Sequence, residues 1–240
     1  MNKTAIVTGG SGGIGVACAE VLVARGYDVV LTARRPEPLR VAAAKVGARW
    51  VAADAADEVA FAGVVADLER VDLLVHAAGI LAGTFVRKEH VATFDDVLRA
   101  NLRSTFVTTS AVLPKMPVGG RIIYISSTAG RHGMKGRSAY SASKAGMNAF
   151  AEALADEVAR DGINVNVLTV APVETDMLEK VTFPMHTLQA IDVANAVGFL
   201  DALDPSVVVP DILLRAADEG PLAPDPVTPE SFGSTSGRDG

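Results

Sequence analysis

A chain of 240 residues with 49 % hydrophobic and 21 % charged residues has the size and composition of one compact domain, and not of a disordered, fibrous or coiled-coil chain. Its net charge of −6 argues against a nucleic-acid partner, which selects a basic surface. Cys18, the only cysteine, excludes an intrachain disulfide and argues against a cysteine-based zinc site. No stretch reaches the roughly 18 apolar residues of a membrane span, so no membrane partner is expected. The opening residues run straight into a short apolar strand, without the longer apolar run of a secretory leader; the expected setting is cytoplasmic.

In chain order, Ala5–Val7 predicts a strand, then glycines, then a helix over Val16–Ala24. Tyr27–Ala33 reads as a second strand and Pro38–Val46 as a helix. Arg49–Ala53 and Val71–His76 read as strands around a helix at Val59–Leu68. One long helix is predicted over Thr93–Leu113, a fifth strand over Arg121–Ser126, and another long helix over Ser138–Arg160. Ile163–Val170, Ile191–Leu203 and Val207–Leu214 add strand, helix and strand. Strands alternating with helices imply βαβ units and a parallel sheet covered on both faces. Pro210 in the last strand cannot donate to a ladder, which places that strand at an edge or a bulge. Residues 1–219 read as a single domain, and 220–240, rich in Pro, Gly and Ser, as a C-terminal tail.

After the first strand comes Thr8-Gly9-Gly10-Ser11-Gly12-Gly13-Ile14-Gly15. A strand, a glycine turn and a helix N-terminus form an anion site, because free backbone N–H groups and the helix dipole face outward. Glycines there let the backbone approach a pyrophosphate; the bland alternative is a flexible turn. The second strand ends in Ala33-Arg34-Arg35, with no acid to accept the ribose hydroxyls of NAD. Two guanidinium groups instead suit a ribose 2′-phosphate, so NADP(H) is favoured over NAD(H), with a solvated arginine pair as the alternative. Asp54, at the end of the third strand, suits a hydrogen bond to the adenine amino group, or else is a cap or turn carboxylate.

Tyr140 and Lys144 are four residues apart at the start of a helix and share a face. A cation beside a phenol favours the phenolate, which predicts a lowered Tyr140 pKa and a usable acid/base at neutral pH. Alone, this spacing is usually a surface pair. Ser127, at the end of the fifth strand, lies where such sheets present residues to a ligand and could hydrogen-bond a carbonyl oxygen.

Together these residues resemble the short-chain dehydrogenases/reductases in their compact single-domain branch. The matching pieces are Thr8-Gly9-x-x-x-Gly13-Ile14-Gly15, Asp54, Ala78-Gly79, Asn101, Ser127, Tyr140 and Lys144, in the family's order, with 13 residues from Ser127 to Tyr140. The resemblance covers about residues 3–215. It implies a Rossmann-type doubly wound parallel sheet of about seven strands, with helices on both faces. It implies an oxidoreductase that moves a hydride between nicotinamide and a small-molecule ketone or secondary alcohol, with Tyr140 as general acid/base. Lys144 would tune Tyr140 and hold the nicotinamide ribose, Ser127 would orient the substrate oxygen, and Asn101 would hold a proton-relaying water. Gly9, Ser11, Gly12, Gly13, Ile14, Gly15, Arg34, Arg35, Asp54 and Ala55 would bind the cofactor. Ala78, Gly79, Tyr140, Lys144, Pro172 and Thr175 would complete that set. No metal is expected.

The chain departs from the family pattern at His76-Ala77-Ala78-Gly79, where Asn-Asn-Ala-Gly is frequent. Pro172-Val173-Glu174-Thr175 lacks the glycine often found after that proline and looks about two residues short. The resemblance also implies a homodimer or homotetramer that pairs the helices near 93–113 and 138–160. Alternatives are an NAD-preferring dehydrogenase, a non-catalytic nucleotide-binding regulatory protein on the same fold, and a nucleotide-sugar epimerase, which usually needs a larger substrate domain. Arg131, His132, Lys135 and Arg137, between Ser127 and Tyr140, would lie near the pocket mouth, where they could attract an anion or form a solvated loop.

Overall fold

The computed structural model describes residues 3–175 and 187–217. Seven strands run parallel in one sheet: β1 (Thr4–Thr8), β2 (Asp28–Ala33), β3 (Arg49–Ala52), β4 (Leu73–His76), β5 (Arg121–Ser127), β6 (Asn164–Val170) and β7 (Asp211–Leu214). Their order is β3-β2-β1-β4-β5-β6-β7. Each crossover carries helix: α1 (Gly13–Ala24), α2 (Pro36–Val46), α3 (Glu58–Val65), α4 (Val91–Leu98), α5 (Ser104–Val112), α6 (Ser138–Val158) and α7 (Ala190–Ala202).

Side chains alternate across a strand, and here both faces are apolar. Ala5 and Val7 pack in a layer with residues of α1, α2 and α7. Ile6, between them, packs in the opposite layer with residues of α3, α5 and α6. Burial on both faces is why the strands read as continuous apolar runs instead of alternating ones. The sheet is thus the expected doubly wound, Rossmann-type architecture. Strand order reverses between β1 and β4, and that opens a crevice at their carboxyl ends.

Three elements differ from the sequence reading. The predicted helix over 93–113 is α4, a π turn at Arg99–Arg103, and α5; the apolar period runs on past the local widening. The first helix begins at Gly13, inside the glycine run. A Cβ on Gly15 would stand 2.4 Å from the Gly9 carbonyl oxygen, so only glycine lets the helix start there. The last strand is an edge strand, but it starts after Pro210, whose carbonyl accepts from Val167 N–H at 2.9 Å. The predicted tail at 220–240 lies outside the described residues. No described helix is long and apolar enough to cross a membrane.

Candidate active site

The glycine turn follows β1. Gly9 has φ +69°, and a Cβ there would stand 2.8 Å from the Ala77 carbonyl oxygen. Glycine therefore serves both the left-handed backbone and the close approach of the loop after β4. That loop is fixed by Thr8, whose Oγ1 accepts from Ala78 N–H at 3.0 Å. The result is a groove of about 240 Å³ across the switch point. Gly9, Ser11 and Gly12 line one end of it. Arg34, Arg35, Asp54 and Ala55 line the β2–β3 side, and Ala78 and Gly79 face them. Gly13, Ile14 and Gly15 form the first turn of α1 instead, with Ile14 packed on the apolar layer beneath.

Gly12 caps α1 without a side-chain hydrogen bond, and no acid lies in the first turn, so the helix start is free to take an anion. A Cβ on Gly12 would touch only the Gly9 carbonyl oxygen, at 3.4 Å. Protein packing does not demand glycine there; open space above the turn does the explaining. Arg34 and Arg35 are exposed at the groove's edge. Asp54 is held twice. Its Oδ1 accepts from Ala56 N–H at 2.9 Å and its Oδ2 from Arg99 Nη1 at 2.7 Å. Burial works to raise the Asp54 pKa, but these two donors and the nearby Arg34 charge together hold it below the ordinary value.

Of the four candidate catalytic residues, Asn101 and Lys144 adjoin the groove at Gly79. Asn101 is fully buried in the π turn. Its Oδ1 accepts from Ile80 N–H at 2.8 Å, while Nδ2 donates to the Ile80 carbonyl at 3.1 Å and to Ser143 Oγ at 3.0 Å. Ser143 in turn donates to the Tyr140 carbonyl at 2.7 Å. Lys144 is buried, and its Nζ donates to the Ile125 carbonyl at 2.8 Å. A Cβ placed on Gly79 would lie 3.0 Å from Asn101 Oδ1 and 3.9 Å from Lys144 Nζ. The amide and the ammonium therefore converge around Gly79. Ser127 lies close enough to the Tyr140 phenol to lower its pKa, and its Oγ accepts from Ala129 N–H at 3.2 Å.

Electrostatics corrects one expectation. Spacing predicts a Tyr140 pKa lowered by Lys144. In the structure burial raises it, and nearby Ser127 only moderates the rise. Burial lowers Lys144 instead, to about 8. In the free protein Tyr140 thus keeps its proton, the form needed to protonate a substrate oxygen.

Several residues at the site escaped the sequence reading. Ser143 and Ile80 are two of them. Thr32 is another: it lines the groove, is 1 % exposed, and has the one buried side-chain polar atom without a partner among the described residues. His76 is fully buried, with Nδ1 3.2 Å from Thr8 Oγ1 and 3.1 Å from Thr108 Oγ1, and Nε2 3.2 Å from Ser104 Oγ. Ser104 Oγ–H is committed to the Ala100 carbonyl at 2.7 Å, so Nε2 carries the proton and donates. Burial, aided by the Lys144 charge, depresses the His76 pKa to about 3 and keeps the ring neutral.

The short segment after β6 reaches the start of α1. Leu188 N–H donates to the Pro172 carbonyl and Glu174 N–H to the Leu188 carbonyl, both at 2.8 Å, which ties off the loop at its base. Thr175 then packs on the start of α1, its Cγ2 3.0 Å from where a Gly13 Cβ would stand. Of the cations before Tyr140, Arg131 pairs with Asp211 and Arg137 donates to the Gly83 carbonyl, while Lys135 Nζ lies 5.8 Å from the Phe85 ring centre. Residues 176–186 lie outside the described residues.

The family model described as short chain dehydrogenase matches residues 3–184. Nodulation protein G of Rhizobium sp. (strain N33) is 39 % identical over 226 residues, covering 86 % of this chain and 92 % of its own length. A 3-oxoacyl-[acyl-carrier-protein] reductase of Bos taurus is 37 % identical over 216 residues, covering 83 % and 91 %. Among solved structures, BdcA in complex with NADPH is 29 % identical with a TM-score of 0.82, over 90 % of this chain and 93 % of that one.

Proposed function

Because this chain belongs to the short-chain dehydrogenase/reductase family, and is thus a nicotinamide-dependent oxidoreductase of carbonyl and alcohol groups, we propose that it reduces ketones with NADPH, Tyr140 giving the proton. The observation that carries the reading is the convergence of the buried Lys144 ammonium and the Asn101 amide on Gly79 in the groove wall, one helical turn from Tyr140. The groove's features fit a dinucleotide: an uncapped helix start, empty space above Gly12, and an unpaired Thr32 hydroxyl in its wall. Gly9, Ser11 and Gly12 would hold the pyrophosphate, Arg34 and Arg35 the 2′-phosphate, and Asp54 and Ala55 the adenine. Ala78, Gly79, Pro172 and Thr175 would flank the remainder.

The nicotinamide, when bound, supplies the hydride. Ser127 then orients the carbonyl oxygen and Tyr140 protonates it. Lys144, as ammonium, stabilises the phenolate left behind; a proton from solvent then restores Tyr140, and Asn101, which converges with Lys144 on Gly79, would support that relay. The bovine relative's activity as a 3-oxoacyl-[acyl-carrier-protein] reductase makes a 3-oxoacyl thioester the first substrate to try. A screen of 3-oxoacyl thioesters and small ketones that follows NADPH absorbance, with NADH in parallel, tests the reading. Consumption of NADH but not NADPH, or of neither with any ketone or thioester, would overturn it.

A homo-oligomer belongs to the same reading. Phe106 on α5 is 59 % exposed beside a groove of about 940 Å³ between α3, α4 and α5. Ala145, Ala149 and Ala153 are exposed on α6. An uncovered aromatic next to a strip of small residues suits close helix packing between copies.

A further inference from the structure

Arg99 was not a candidate in the sequence, yet it reaches the wall of the dinucleotide groove. Its Nη1 donates to Asp54 Oδ2 at 2.7 Å. Four residues on, Arg103 Nε donates to the Ala56 carbonyl at 3.1 Å. Both arginines leave the π turn at Arg99–Arg103, and the turn's central residue, Asn101, points the other way onto Ile80 and Ser143. The loop after β3 is therefore pinned at two points by the turn that carries the buried amide of the catalytic centre.

We propose that Arg99 is a positioning residue for the adenine half of the dinucleotide, acting by locking the Asp54 carboxylate in the groove wall. The inference rests on the reading of the groove as an NADPH site. A carboxylate has about four acceptor directions. The Ala56 N–H and Arg99 occupy one on each oxygen, which leaves acceptor capacity facing the groove in a fixed orientation. Without Arg99, only the Ala56 N–H restrains the carboxylate, and it can swing toward the exposed Arg34, whose charge it already feels. Such a swing would cost the adenine amino group its acceptor and engage a cation assigned to the 2′-phosphate. An ion pair this exposed, at 45 % and 30 %, adds little to stability. Its effect lies in where it holds the oxygen atoms.

The test is calorimetric titration of the wild type, Arg99→Gln and Arg99→Lys with NADPH, with adenosine 2′,5′-bisphosphate, and with reduced nicotinamide mononucleotide. Arg99→Gln should bind both adenine-containing ligands roughly five- to tenfold more weakly, the loss of one well-aligned hydrogen bond, and the mononucleotide as the wild type does. Arg99→Lys, which keeps the cation, should recover part of the loss. In turnover the KM for NADPH should rise in Arg99→Gln while kcat at saturation holds. Unchanged affinity for the bisphosphate would overturn the inference. So would a parallel loss for the mononucleotide, which would make Arg99 a general structural residue. A wild type that binds no NADPH overturns the reading of the groove, and the inference with it.

Discussion

Lys144 donates from a buried ammonium to the Ile125 carbonyl at 2.8 Å, so the cation beside Tyr140 is anchored to the end of β5, the strand that carries Ser127. Desolvation in that position brings the Lys144 pKa down from 10.5 to about 8. Reduction needs the proton on Tyr140 and the charge on Lys144. kcat/KM for ketone reduction should therefore be flat between about pH 6 and 7 and fall as pH rises through about 8, when Lys144 loses its proton. Lys144→Arg, which stays charged, should lose that limb whatever its absolute rate. A wild-type profile still flat at about pH 9.5 would remove Lys144 from the proton chemistry.

Tyr140→Phe deletes one oxygen and keeps the ring. Turnover should drop by about 10²–10⁴, the usual worth of a positioned acid, with NADPH affinity nearly unchanged. Stopped-flow turnover and nucleotide titration read the two effects separately. Residual activity within a factor of two of the wild type would show that another group donates the proton.

Arg34 and Arg35 stand exposed at the groove's edge with no acid at the end of β2. NADPH should bind at least about tenfold tighter than NADH, about 1.4 kcal/mol. Ala33→Asp combined with Arg34→Ala should weaken or reverse that preference. Equal wild-type affinity for the two cofactors, measured by titration, would refute the assignment.

His76 bears on stability. Its folded pKa near 3 lies below the unfolded 6.5, so between these values the unfolded chain binds the extra proton and stability falls as pH drops. The slope approaches about 1.4 kcal/mol per pH unit. His76→Asn lacks that titration. Urea midpoints should show the advantage of the wild type over His76→Asn shrinking as pH is lowered from about 7 to 4. A constant difference would mean that the ring is solvated and free to charge.

Phe106→Glu places a charge on the exposed face of α5. If that face is covered by a second copy, light scattering at micromolar concentration should show an oligomer for the wild type and a smaller species for the variant. Identical masses would place any interface elsewhere.

What the sequence determined by itself is what a short stretch of backbone can encode. The alternation of apolar strands with helical spacing implied a doubly wound sheet, because burial on both faces requires it. The glycine run pointed to an anion site, and the four-residue spacing of Tyr140 and Lys144 to one helical face, since each depends only on local geometry. Tertiary structure decided whatever depends on partners far along the chain. Asn101 meets Ser143, His76 meets Ser104 and Thr108, and Asp54 meets Arg99, and no local period records such pairings. The π turn was hidden for a related reason: a helix wider by one residue still buries an apolar face, so the pattern over 93–113 reads as unbroken. The Tyr140 pKa went the other way from the spacing argument because desolvation is set by everything packed around the phenol, not by one neighbour on its helix.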